Sequence, residues 1–241
     1  YHVNMLNIYA LDELQRRLEE FSHIGAAGVI LFGTEMREDD FAALAFTGLP
    51  LVLLDNHFIS SKIDSVQINN IDGAYMGTNY LINRRKSHPG YLCSSYPIRN
   101  FSERRVGFNN ALLYNGMSVS STIVHVLAPS IDGAYNDMLE IIDRGDDLAG
   151  AYFAVNDLIA IGALRAFKAR GYQIPKDIAL IGFDDIPLCD YTEPGLTTVH
   201  VPKRYMGMTA VERLTAIIVS KRSHYPINIE ISPHLVVRQS V

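Results

Sequence analysis

Short, wholly apolar runs alternate along this chain with segments whose apolar residues recur every three or four positions. Gly28-Val29-Ile30-Leu31-Phe32-Gly33, Pro50-Leu51-Val52-Leu53-Leu54-Asp55 and Ile178-Ala179-Leu180-Ile181 are runs of the first kind. Turn residues bound them, which predicts parallel strands covered on both faces. Leu11, Leu14, Leu18 and Phe21 share one face of a helix over 11–23. Leu158, Ile161, Leu164, Ala166 and Phe167 mark another helix. It should end at Gly171, where a left-handed cap residue is wanted, ahead of Pro175. Further strands are expected at 3–8, 65–69, 88–93, 123–127, 150–155, 228–231 and 234–238. Further helices are expected at 41–46, 70–85, 131–144 and 203–220, with another around Arg104 and Phe108. Asn70 or Asp72 is placed to cap the helix that runs to Arg85. Such alternation predicts an α/β fold built on doubly wound parallel sheets.

Ile71-Asp72-Gly73-Ala74-Tyr75 recurs as Ile131-Asp132-Gly133-Ala134-Tyr135. The flanks do not match, so these are two similar helix starts rather than a sequence repeat. Asp184 and Asp185 fall just past the carboxyl end of the 178–181 strand, the edge at which open α/β sheets bind ligands. They invite a hydrolase or Mg²⁺ reading. No base, nucleophile or phosphate loop accompanies them, so the chain is not read as an enzyme. The eight histidines are scattered, with no metal-ligand spacing. No cofactor and no metal is expected.

Composition narrows the partners. The 241 residues are 48% hydrophobic, enough for one large domain or two lobes. Net charge is −5, and the longest basic run is Arg84-Arg85-Lys86. Gripping nucleic acid needs a clustered basic face, so this segment should not do so unaided. Cys93 and Cys189 lie far apart with no CxxC, which reads as two reduced thiols of a cytoplasmic protein. No apolar run is long enough to span a bilayer, so no membrane partner is expected.

Phe153-Ala154-Val155-Asn156-Asp157 followed by Ala160-Ile161-Gly162-Ala163-Leu164 resembles the LacI/GalR (lactose-repressor) family of bacterial transcription regulators. Gly182-Phe183-Asp184-Asp185-Ile186-Pro187, Leu196-Thr197-Thr198-Val199 and Leu235-Val236-Val237-Arg238-Gln239-Ser240 extend the likeness in register over essentially the whole chain. One departure is Ser87, where the family usually has glycine; a left-handed backbone there would be strained. The resemblance implies two Rossmann-like lobes of the periplasmic-binding-protein type, joined by a three-segment hinge with a cleft between. Residues 1–69 with 200–225 would form the first lobe, and 70–199 with 226–241 the second. A first strand, a helix and a helix-turn-helix DNA-binding domain would precede Tyr1, so the natural protein is expected to be longer.

By the same resemblance Asp55, Asn100, Arg104, Phe153, Asn156 and Asp184 contact the effector, while Asp185 braces its loop. Their chemistry suits a small polyhydroxylated molecule. Carboxylates accept from hydroxyls, arginine donates in a planar fork, an amide does both, and a ring covers an apolar face. Each has a plainer role open to it. Asp184 and Asp185 could simply turn the chain. Arg104 could be a surface residue paired with Glu103 or Asp137. Asn156 could only cap its helix, Phe153 could be core and Asp55 a loop residue. The expectation is the sensing and dimerising domain of a regulator that binds a sugar or sugar derivative. It would act as a homodimer, reaching operator DNA only through a domain absent from this chain. The alternative is an exported solute-binding protein of a transport system.

Overall fold

A computed structural model describes residues 3–8, 10–42, 48–58, 62–220 and 225–241. The chain divides into two compact units, residues 1–67 with 203–231 and residues 68–202 with 232–241. It passes from one to the other three times.

In the first unit a four-stranded sheet has the order β1 (Val29–Phe32), β2 (Leu51–Leu54), β3 (Asp64–Ile68), β9 (Asn228–Ile231). β1, β2 and β3 run parallel. Leu14 and Leu18, from helix α1 (Leu11–His23), enter a core with Phe41, Leu53 and Phe58. Helix α7 (Lys203–Ser220) packs on β2 and β1. Gly28 has no Cβ because one would meet the Leu214 side chain at 2.8 Å. Asp64, fully buried in β3, accepts from Arg213 of α7 and from the amide of Ile227 at 2.9 Å. One carboxylate thus ties together the last two chain segments of this unit.

Three expectations change here. Residues 3–8 form no strand; Val3 and Met5 are 84% and 90% exposed, and no described strand lies beyond β1 to pair with them. The helix expected at 41–46 is α2 (Glu38–Ala42); residues 43–46 lie outside the described ones. β9 joins the first sheet rather than the second lobe, so the last crossing falls after Ile231. Ser65 Oγ donates to Asn228 Oδ1 and Gln67 Nε2 to Glu230 Oε1, which fix β9 beside β3.

The second unit is a six-stranded sheet in the order β10-β8-β7-β6-β4-β5. These are β4 (Gly90–Ser94), β5 (Val124–Leu127), β6 (Ala151–Ala154), β7 (Ala179–Asp184), β8 (Thr197–His200) and β10 (His234–Val236). Only β10 runs antiparallel. Every residue of β6 is fully buried. Phe153 packs toward Gly77 of α3 (Asn70–Arg85), and Tyr152 stacks at 5.8 Å on Phe167 of α6 (Asp157–Ala169). Helices therefore cover both faces. α3 pairs with α4 (Arg99–Tyr114), and α5 (Ile131–Arg144) pairs with α6.

The recurring pentapeptide is explained by these pairs. A Cβ on Gly107 of α4 would lie 2.1 Å from the Ile71 carbonyl and 2.9 Å from Ala74 Cβ. A Cβ on Gly162 of α6 would lie 2.5 Å from the Ile131 carbonyl and 2.7 Å from Ala134 Cβ. Each Ile-Asp-Gly-Ala-Tyr start is thus a seat on which the glycine of the next helix rests, backbone to backbone. The cap of α3 also differs from expectation. Asn69, not Asn70 or Asp72, accepts from the Asp72 amide. The left-handed residue that ends α3 is Lys86 (φ 52°), one before Ser87, so the serine is not strained. Gly145 and Gly171 (φ 79° and 84°) end α5 and α6 as glycines should.

Candidate functional site

At the carboxyl ends of β6 and β7 the second unit buries a charge. Arg104 projects from α4, and its side chain is only 5% exposed. Burying a guanidinium is tolerable only with its donors satisfied and an anion beside it. Nε donates to Asn70 Oδ1 at 2.9 Å, Nη1 to the Val155 carbonyl at 2.8 Å and Nη2 to Asp184 Oδ1 at 3.0 Å. The guanidinium carbon stands 3.7 Å from the centre of the Phe183 ring. Three different elements and an aromatic face therefore hold this fork in one orientation. Its plainer role, pairing with Glu103 or Asp137 at the surface, is not what forms. Glu103 takes Arg99 and Asn70, and Asp137 accepts from the Ala128 amide.

Asp184 is the last residue of β7, with φ at 113°, a backbone seldom adopted outside glycine. Its side chain is 27% exposed, so it faces both the buried arginine and solvent. Asp185 follows with φ 48° and does something else. It accepts from His200 Nδ1 at 2.7 Å and Arg238 Nη2 at 2.9 Å. Burial pushes its carboxyl up, but those two hydrogen bonds outweigh burial and hold it below the usual carboxylate range. Asp185 clamps the loop to β8 and the C-terminal segment.

Asn156 caps α6, its Oδ1 accepting from the Ile159 amide at 3.0 Å. Its side-chain nitrogen meets no acceptor among the described residues, so capping leaves a donor available. Asn100 is buried in the first turn of α4, four residues before Arg104 and on the same helix face. Phe153 does not belong with these. Its ring is fully buried, 6.0 Å from Tyr91 and 6.2 Å from Phe108, and offers no surface to a ligand. A strand buried on both faces has no outward position to give. Asp55 lies in the first unit, just past β2, with φ 61°; its Oδ2 accepts from Thr34 Oγ1 at 2.6 Å.

Sequence reasoning passed over three residues of this site. Asn70 was expected as a possible helix cap, and Phe183 and Asp157 appeared only within the motifs. Asp157 is buried, with Oδ1 accepting from Thr198 Oγ1 at 2.5 Å and Oδ2 from the Ile186 amide at 2.9 Å. Burial first, and the negative charge of Asp184 second, push its carboxyl up to about 7. A Cβ on Gly182 would lie 2.1 Å from Asp157 Oδ1, which is why Gly-Phe-Asp-Asp opens on glycine.

Parallel sheets covered on both faces, with polar side chains gathered at strand carboxyl ends, define a periplasmic-binding-protein-like domain. Residues 78–241 match the model of that domain family, described as a periplasmic binding protein-like domain. The HTH-type transcriptional repressor PurR of Pasteurella multocida is 30% identical over 232 residues, which cover 96% of this chain and 69% of that one. The HTH-type transcriptional regulator GalS of Salmonella typhimurium is 40% identical over 147 residues, or 61% of this chain and 43% of its own length. Among solved structures, a complex of the transcriptional regulator CelR with cellobiose superposes with a TM-score of 0.83 at 27% identity, covering 96% of this chain and 70% of that one. A LacI family regulator from Enterococcus faecium with bound ribose gives 0.81 at 26% identity, covering 93% and 83%. The chain belongs to the LacI/GalR family of transcription regulators and carries its effector-binding domain.

Proposed function

We propose that this chain is the sensing part of a cytoplasmic transcription regulator and that its ligand is an uncharged sugar or sugar derivative. The observation that carries this reading is the Arg104–Asp184 pair. The arginine's charge is already met by a carboxylate, so the pair offers a fixed donor and an acceptor with no net charge left for a phosphate. Asn156, with its spare amide donor, extends the set. The CelR and Enterococcus faecium neighbours were solved with cellobiose and ribose, which agrees with such chemistry. A ligand of this kind acts by binding one conformation better than another. In the full-length regulator that preference would pass to a DNA-binding domain outside this chain.

A homodimer is part of the proposal. The α5–α6 side of the second unit carries a hollow of about 520 Å³ lined by Ile131, Tyr135, Ile161, Leu164 and Leu188, beside Tyr191, which is 83% exposed. An apolar hollow next to an exposed aromatic suits a self-complementary contact. Sedimentation of Tyr191→Asp tests it, with a shift toward monomer expected. Among the described residues no helix is long and apolar enough to cross a membrane.

The decisive experiment is a thermal-shift series with cellobiose, D-ribose, sugar phosphates and purines. A ligand that binds only the native state raises the midpoint. A rise with a neutral sugar that disappears in Asp184→Ala is expected. A rise only with phosphorylated sugars, or one unaffected by Asp184→Ala, would overturn the assignment.

A further inference from the structure

Asp157 is a buried carboxylate that forms no ion pair among the described residues, yet it holds the strained turn that carries Asp184. Its two oxygens are engaged from different elements: Thr198 Oγ1 of β8 at 2.5 Å and the amide of Ile186, two residues past Asp184, at 2.9 Å. The Cys189 thiol, on the short 3-10 turn Pro187–Asp190, lies close by. Gly182 leaves the space it occupies, and Asn156, the capping amide of the site, is its chain neighbour. We infer that Asp157 is the positioning residue of the ligand site, its carboxylate fixing the 184–186 turn, and that its charge state sets how tightly that turn is held.

Backbone conformations at φ 113° and 48° on two successive aspartates relax unless something outside the turn opposes it. Asp185 is held by His200 and Arg238 on one side. Asp157 supplies the hold on the other, through the Ile186 amide. The charged groups around Asp157 are few. Asp184 repels it from the end of β7, and the Cys189 thiol faces it from the 3-10 turn. Arg104 lies behind Asp184, while His200 and Arg238 lie behind Asp185. Burial, and after it the charge of Asp184, move its proton to near neutrality, at about 7, and no cation among the described residues touches it to oppose them. An anionic Asp157 accepts more strongly from Ile186 but also repels Asp184; a protonated one does neither. The turn is thereby made sensitive to pH in the physiological range.

This inference deepens the proposed ligand site and rests on that reading for its function, but its test needs no ligand. The Ile186 amide of the ¹⁵N-labelled protein is followed by NMR from pH 5.5 to 8.5. A downfield shift with a midpoint near 7 is expected, because hydrogen bonds to a charged acceptor are shorter and stronger. Asp157→Asn, which can still accept from Ile186 while its amide donates to Thr198 Oγ1, should abolish that titration and keep Ile186 exchange within a few-fold of wild type. Asp157→Ala should speed exchange of that amide at least tenfold; if this variant does not fold, the Asn variant alone decides. A flat wild-type profile overturns the inference. So does an equal titration in Asp157→Asn, since the signal would then come from another group. Either result leaves the Asp184 thermal-shift test standing, and failure of that test leaves this one readable.

Discussion

Two strands of this protein end on an aspartate with positive φ, Asp55 in the first unit and Asp184 in the second. The two are held in different ways. Asp55 accepts from the neutral hydroxyl of Thr34. Asp184 accepts from an arginine that is itself buried, pinned by Asn70 and the Val155 carbonyl, and laid on Phe183. A strand-end carboxylate is thus a common feature of both sheets, and the one at Asp184 sits over a preorganised buried charge. The strained backbone presents the side chain. The buried partner fixes its electrostatics.

The largest effect should come from removing that partner. Arg104→Leu strands Asn70 Oδ1, the Val155 carbonyl and Asp184, and breaking a buried ion pair from one side costs roughly 3–5 kcal/mol. Thr34→Val, the matching change under Asp55, removes one hydrogen bond from a neutral donor, worth roughly 1.5–2 kcal/mol because the acceptor is a carboxylate. Urea unfolding midpoints compare them, and equal losses would erase the distinction between the two sites. Asp184→Ala comes next. It leaves the Arg104 charge without its anion, at a cost of roughly 2 kcal/mol because Asp184 is partly solvated. Exposed cleft carboxylates lack this penalty, so the expected loss is itself a mark of the pairing.

A third test uses pH. In the unfolded chain Asp157 titrates near 3.8, and in the folded protein at about 7. Between those values the folded state holds a proton that the unfolded state has released, so stability falls as pH rises and levels off above about 7. Relative to Asp157→Asn, wild type should therefore lose stability progressively from pH 4 to 7. A pH-independent difference between the two would show that Asp157 is ionised throughout.

Much of this was readable in advance. Gly182-Phe183-Asp184-Asp185 follows an apolar run and marked the end of a strand, which runs on to Asp184 rather than stopping at Ile181, and Asp185 was expected to brace the loop. The matching helix starts at Ile71 and Ile131 were visible as a recurrence. Their purpose was not, because the glycines they receive, Gly107 and Gly162, lie about thirty residues downstream. Asn70 was missed for a similar reason. Cap and ligand positioner are the same residue type at the same helix start, and only the arginine 34 residues on separates the roles. Phe153 differs in the other direction, since resemblance supplies a position but not the burial of the strand there on both faces. β9 could have closed either sheet by pattern alone. Its place depends on side-chain pairing with β3, across 163 residues.

The smallest effect should be Asp55→Asn. Asparagine tolerates a φ of 61° better than most residues, and its amide oxygen can still accept from Thr34 Oγ1. The hydroxyl contact survives the change with a weaker acceptor, so its loss should be about 1 kcal/mol or less. The same isosteric change at Asp184 removes the anion facing a buried guanidinium and should cost several times more. Asp55→Asn and Asp184→Asn each replace one carboxylate oxygen by an amide nitrogen, so their difference compares what the two carboxylates face. If Asp55→Asn proves as costly as Asp184→Asn in urea unfolding, then Asp55 too faces a cation in the folded protein, and the contrast between the two aspartates disappears.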